Sequence, residues 1–277
     1  MGVYFYANKI GDAVSINASQ EFPAASCAKV PVLMAVFHLS DNGKLDLNQK
    51  VLFQESDKLG GAGVLQWLKG DREYTIWNLS RLMIVLSDNT ATRLVVRTVG
   101  MPAINDYIAS IGLTKTRVVD PTMLSEPPSL EVNMTTPAEM ANAILRIGSG
   151  WGFSQASQQE MLKFLRNQKY RWGIIRGLPP GIQVANKTGQ LDKILNDAGI
   201  VYTKKGNYVL SIFTRGFEKK REARELINEI SKLCYEEFTG EKVIKPQLSR
   251  RPSPKLKPRK GRRVKVSYRK SRTYRRR

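Results

Sequence analysis

Histidine and cysteine are nearly missing from this sequence, whose 277 residues hold one histidine, His38, and two cysteines, Cys27 and Cys234. That supply cannot furnish the four ligands of a structural zinc site or a framework of disulfides, and it excludes most metalloenzyme chemistry; the sequence as a whole implies no cofactor. Long apolar runs are missing too. No stretch approaches the roughly 20 residues needed to cross a bilayer, and Met1-Gly2-Val3-Tyr4 opens without the basic-then-apolar pattern of a secretion segment. Acid is missing from the C-terminal end: Lys245 to Arg277 contain 16 Lys/Arg and no Asp/Glu. Of the formal charge of +21, only +5 therefore belongs to residues 1–244. The rest of the composition, 42% hydrophobic and 25% charged, suffices for an ordinary buried core.

Val3–Tyr6 and Ala13–Ile16 are short β-rich runs around Asn8-Lys9-Ile10-Gly11-Asp12, which predicts an opening hairpin. Ser26 to Ser40 is almost continuously apolar and stops at Asp41-Asn42-Gly43, the pattern of a helix buried on all sides. Leu79, Leu82, Met83 and Leu86 predict a packed helix over 75–86. Another over 90–99 ends at Gly100-Met101-Pro102. Thr136-Pro137-Ala138-Glu139 reads as a capping box opening a helix over 137–147, and a further helix is expected over 155–167. Period-two patterning returns at 198–202 and 208–213 around Lys204-Lys205-Gly206-Asn207, a second hairpin. Leu226, Ile227, Ile230, Leu233 and Cys234 then stripe a long amphipathic helix over 218–238. The order predicts an α/β (α+β) fold. An antiparallel sheet of about five strands is assembled from both ends (1–24 and 183–244), flanked by helices, with a mostly helical insertion over 25–182.

The chemistry begins at Ser26-Cys27-Ala28-Lys29. A serine hydroxyl needs a base, and His38, 12 residues on, lies about 120° around the helix, whereas Lys29 lies about 60° away. A lysine can serve as that base if burial or neighbouring cations lower its pKa. Pro31 offers no N–H to the carbonyl of Cys27, so the first turn should be locally bent. S-x-x-K alone is weak, but Ser87-Asp88-Asn89 follows between two predicted helices, and Lys187-Thr188-Gly189 lies just ahead of the second hairpin.

These three motifs, in this order, resemble those of class A β-lactamases and penicillin-binding proteins over essentially all of residues 1–244. The strings Phe22-Pro23-Ala24-Ala25-Ser26, Thr135-Thr136-Pro137 and Asp197-Ala198-Gly199-Ile200-Val201 strengthen the likeness. The resemblance implies a serine acyl-transfer hydrolase that opens a β-lactam or related amide through an acyl-enzyme on Ser26. Lys29 would be the base or proton relay, and Ser87 would carry the proton to the leaving nitrogen. Asn89 would bind the substrate's amide carbonyl, while Lys187 and Thr188 would take its carboxylate. Gly189 would leave room for substrate against the strand, and the backbone N–H groups of Ser26 and Gln190 would form the oxyanion hole. His38 and Cys27 are expected as packed residues and Gly60-Gly61-Ala62-Gly63 as a flexible connection. The tryptophans are expected in the core, with Trp67 where a cavity wall could fall.

The likeness fails first at the step that would release the acyl group. Class A enzymes carry a glutamate that activates the deacylating water. Here Thr116-Arg117 sets that position at about Thr122, with Glu126 some four positions late and Glu131 later still. Efficient acylation with slow or unusual turnover is therefore expected. A D,D-peptidase or esterase of the same fold is a competitor, as is a non-catalytic polyanion-binding envelope protein. Only 25 residues precede Ser26, too few for a hairpin plus the helix that usually opens this fold. Either that helix is absent or the chain starts downstream of the natural one. The resemblance implies a monomer that is secreted or held in the cell envelope. The basic, proline-broken segment 245–277 predicts a disordered tail. It would bind an anionic wall polymer or membrane surface, with nucleic acid the lesser candidate.

Overall fold

The computed structural model describes residues 1–7, 13–125, 129 and 132–243. The turn 8–12, Glu126, Glu131 and the basic segment 245–277 lie outside the described residues. The first hairpin pairs β1 (Gly2–Tyr6) with β2 (Ala13–Ile16), Val3 opposite Ile16. The chain then passes through β3 (Phe22–Pro23) and a 3-10 turn, Ala25–Ala28, into α1 (Lys29–Asp41). The tight turn ahead of Pro31 is the expected bend: without the proline N–H, an α-helical bond back to Cys27 cannot form. Lys29 to Phe37 are all buried, which explains why α1 shows no polar face.

A ribbon of β4 (Lys50–Phe53) and β5 (Arg72–Thr75) precedes α2 (Ile76–Val85) and α3 (Asn89–Val99). Helix α4 (Met101–Ser110) was not foreseen. Gly100, at φ 88°, ends α3 and turns the chain, and Pro102 occupies the first turn of α4, where its missing N–H costs nothing. The stop signal is thus also a start. After β6 (Met134–Thr135) comes α5 (Pro137–Ser149), capped by Thr136 Oγ1, which accepts from Glu139 N at 3.1 Å. The reciprocal half of a capping box is replaced. The Glu139 carboxylate accepts instead from Lys115 N at 2.9 Å and Thr116 Oγ1 at 2.6 Å, fastening the preceding loop.

Helix α6 (Gln155–Arg166) leads to β7 (Gln183–Leu191), β8 (Ile194–Thr203), β9 (Gly206–Arg215) and α7 (Lys220–Thr239). The five-stranded antiparallel sheet has the order β2-β1-β9-β8-β7, so both ends of the chain meet between β1 and β9, and β7 is an edge. Alternate residues feed two cores. Val209 and Phe213 of β9 join α1–α6, whereas Leu210 and Ile212 join Val3, Phe5 and Ile227 beneath α7. The edge strand β7 also contacts the Ala25–Ala28 turn, and this contact brings two distant motifs together.

Candidate active site

Ser26 sits half-buried on the 3-10 turn and lines a cavity of about 300 Å³ together with Ser87, Asn89, Thr188 and Gln190. Behind that wall lie two lysines with no exposed surface. Lys29 is in the first turn of α1, and Lys187 is on β7. Lys29 Nζ donates to Ser87 O at 2.6 Å and to Asn89 Oδ1 at 2.7 Å, and lies 3.2 Å from Ser87 Oγ. Lys187 Nζ donates to the same Ser87 Oγ at 3.0 Å and to Thr188 O at 2.7 Å. One hydroxyl is therefore shared by two amines. Such a hydroxyl can accept from one amine and donate to the other only if one amine is neutral.

Electrostatics decides which one is neutral. Burial, reinforced by the nearby Lys187, holds the Lys29 pKa well below the ordinary lysine value. Burial lowers Lys187 only to about 8, because Cys27 and Asp197 pull the other way. Of the two, Lys29 is the amine that gives up its proton first and Lys187 the one that keeps it to higher pH. Asp197, buried on β8 opposite Thr188, has its own carboxyl pushed up to about 6 by desolvation, against bonds from Asn186 Nδ2 at 2.8 Å and Ile174 N at 2.7 Å.

The backbone at the cavity is strained. Ala25, Ser87 and Met123 have φ of 48°, 53° and 61°, which side-chain-bearing residues rarely adopt and which costs on the order of 1 kcal/mol or more each. Contacts hold Ser87 there. Its carbonyl accepts from Lys29, and the following Asp88, fully buried, caps α3 through Ala91 N at 2.9 Å. Asp88 Oδ2 also accepts from Val64 N at 2.6 Å and Leu65 N at 2.9 Å. Gly60-Gly61-Ala62-Gly63, expected to be a flexible connection, is thereby a fixed wall. Ala62 O accepts from Asn89 N at 3.1 Å, Gly60 O accepts from Asn89 Nδ2 at 3.0 Å, and Gly61 and Ala62 line the cavity. A Cβ on Gly63 would stand 2.2 Å from the Asp88 carboxyl carbon.

Gly189 also has a steric role in packing. A Cβ there would meet Ala24 O at 2.9 Å, Ala25 Cβ at 3.1 Å and Cys27 Sγ at 3.1 Å. The missing side chain makes room for the turn that carries Ser26. Cys27 is a packed residue, with its thiol donating to Lys187 O at 3.2 Å and its pKa pushed up by burial. His38 is half-buried and stacks on Tyr107 at 4.6 Å. Trp67 is 81% exposed, and the cavity's aromatic wall comes instead from Tyr170 and Trp172. Trp172, expected in the core, lies instead at this wall, and Tyr170 stands near it in the polar stretch after α6. Gln168 carried no signal in the sequence: its Nε2 donates to Thr188 Oγ1 at 2.8 Å.

The loop after α4 completes the wall with Met123 and Leu124. Thr122, at the position expected for a glutamate, turns its hydroxyl onto Asp120 Oδ1 at 2.6 Å. Asp120 also accepts from Leu124 N and Ser125 N, both at 2.9 Å; these bonds outweigh its partial burial and keep its pKa below the usual carboxylate value. None of the described residues lining the cavity is acidic.

With this geometry in view, the relatives are informative. The model of the beta-lactamase enzyme family matches residues 1–238. The extended-spectrum beta-lactamase PER-1 of Pseudomonas aeruginosa is 29% identical over 236 residues, 80% of this chain and 77% of that protein. The crystal structure of a beta-lactamase from Sphaerobacter thermophilus superposes with a TM-score of 0.80 at 32% identity, covering 86% of this chain and 90% of that one. A point variant of PBP-A, solved as an acyl-enzyme complex with penicillin G, gives the same TM-score at 31% identity over 87% of this chain and 90% of its own. The chain belongs to the beta-lactamase enzyme family and is a serine hydrolase of the class A fold.

Proposed function

We propose that Ser26 opens a β-lactam, or a related amide of cell-wall peptide type, by forming an acyl-enzyme. The observation that supports this most is the convergence of two fully buried lysines on Ser87 Oγ beside Ser26. Neutral Lys29 takes the Ser26 proton, directly or through Ser87, as Oγ attacks the lactam carbonyl. The carbonyl oxygen gains charge and is met by the N–H groups of Ser26 and Gln190, a kind of contact worth about 3–4 kcal/mol per donor. The C–N bond then breaks, Ser87 delivers the proton to nitrogen, and the ring-opened molecule remains esterified to Ser26. Asn89, with Oδ1 held by Lys29, keeps an Nδ2 hydrogen for the substrate's amide carbonyl. Charged Lys187 and the Thr188 hydroxyl receive the carboxylate. No cofactor takes part in this scheme.

Among the described residues the cavity lining carries no acid, which favours slow release. Hydrolysis of the ester needs a base beside a water molecule, and the wall where one would stand presents Met123 and Leu124. The protein then behaves more as a penicillin-binding acyltransferase or D,D-peptidase than as a fast β-lactamase. Incubation with a fluorescent penicillin and a chromogenic cephalosporin tests both readings. Labelling that persists with little colour change is expected, and Ser26→Ala should abolish it. Rapid colour change without a stable label would contradict slow release.

We further propose that residues 1–244 form the catalytic unit and that 245–277 act as a polycationic tail, placing the enzyme on an anionic wall polymer or membrane surface outside the cell. The support is compositional: 16 Lys/Arg without an acid in 33 residues bind polyanions through counterion release.

A further inference from the structure

The side-chain amide of Gln168 joins two parts of the cavity wall. It is buried, just beyond the end of α6, and the next residue anchors to the segment ahead of Ser87 through Lys169 N and Val85 O at 3.0 Å. Gln168 Oε1 accepts from the backbone N–H of Tyr170, and Nε2 donates to Thr188 Oγ1 at 2.8 Å. A backbone N–H can only donate, so the Tyr170 contact fixes which end of the amide is oxygen; the other end must present N–H to Thr188. Thr188 Oγ1 is thereby an acceptor toward Gln168, and its own proton must be donated in another direction. Thr188 borders the cavity, where an incoming group is available to accept it.

We propose that Gln168 is a positioning residue. By occupying a lone pair of Thr188 Oγ1 it holds the hydroxyl as a donor into the cavity, and so selects acyl donors that carry an acceptor-only group, a carboxylate, at that point. The same amide fixes Tyr170 and so sets the aromatic side of the cavity. This inference rests on the reading of Ser26 as the nucleophile, and it adds the origin of carboxylate preference.

The test compares second-order acylation rates for a β-lactam and for its methyl ester, in the full chain. Gln168→Met keeps the side-chain length but neither donates nor accepts through an amide. It should slow the acid about 10-fold, through weaker binding before acylation with the limiting acylation rate retained, and should change the ester less than about 2-fold. Gln168→Glu accepts from both Tyr170 N–H and the Thr188 hydroxyl, turning that hydroxyl inward, and should slow the acid more than Gln168→Met does. In a Thr188→Val background, Gln168→Met should add little, because the group it positions is already gone. Equal losses for acid and ester, or losses that add in full in the double variant, would overturn the inference while leaving Ser26 as nucleophile. If Gln168→Met does not fold, the Gln168→Glu comparison of acid with ester decides alone. An unmodified protein that neither labels nor turns over would overturn the parent reading and this one with it.

Discussion

Ser87 Oγ is where two buried lysines meet, and the pH dependence of acylation reads their protonation directly. Burial brings the Lys187 pKa down to about 8, while Lys29, held well below the ordinary lysine value by burial and by Lys187, loses its proton first. Labelling by a carboxylate-bearing penicillin should slow in acid, as Lys29 takes up a proton, and slow again above about pH 8, as Lys187 loses its charge. The alkaline fall should be much weaker for a penicillin ester, because Lys187 then has no anion to attract. A rate still rising through pH 9 for the acid would contradict the assignment of the charges. Gly189 offers a steric test. Gly189→Ala places a methyl group 2.9 Å from Ala24 O and should push the Ser26 turn off β7, slowing labelling by at least about 10-fold with Lys29 and Lys187 intact. Unchanged labelling would mean that the close approach of strand and turn does not set the nucleophile.

The Ser87-Asp88-Asn89 segment shows how an element boundary becomes chemistry. Asp88 caps α3 and also holds Val64 and Leu65. Asp88→Ala removes a cap worth about 1 kcal/mol and strands two further N–H groups, so a loss of about 3 kcal/mol or more is expected in denaturant unfolding, together with slower labelling. A loss below about 1 kcal/mol would show that the Gly60–Gly63 wall is not held by this carboxylate. The helices over 75–86, 90–99 and 137–147 were legible because apolar spacing and caps are local signals, and the three motifs were legible because each is contiguous. Helix α4 was not, since Gly100-Met101-Pro102 ends one helix and begins the next within three residues. The glycine run read as flexible because what fixes it, Asp88 and Asn89, lies some 25 residues away. Gln168 was invisible for the same reason: its function resides in a bond to Thr188, 20 positions on. Short motifs marked the proposed nucleophile, the two amines and the proposed carbonyl contacts. The walls that position them are tertiary.

Charge is distributed unevenly along the whole chain, and this separates the two activities proposed for it. Residues 1–244 carry a net +5 and every group proposed for acylation, whereas 245–277 carry +16. Deletion of 245–277 should leave penicillin labelling within about 2-fold. Retention on heparin at low salt should be lost, since affinity built on counterion release scales with the number of cations. Unaltered retention after deletion would assign polyanion binding to the remaining surface. Across the fold, the contact between the Ser26 turn and edge strand β7 brings together segments some 160 residues apart in sequence, Cys27 Sγ to Lys187 O at 3.2 Å among them. If that contact builds an acylating centre, intact-protein mass spectrometry with benzylpenicillin should show one adduct of the whole antibiotic. Peptide mapping should place it on Ser26, and it should persist long after free drug is removed and be absent from Ser26→Ala. A protein that gains no adduct and hydrolyses no penicillin, or one labelled at another residue, would contradict the account.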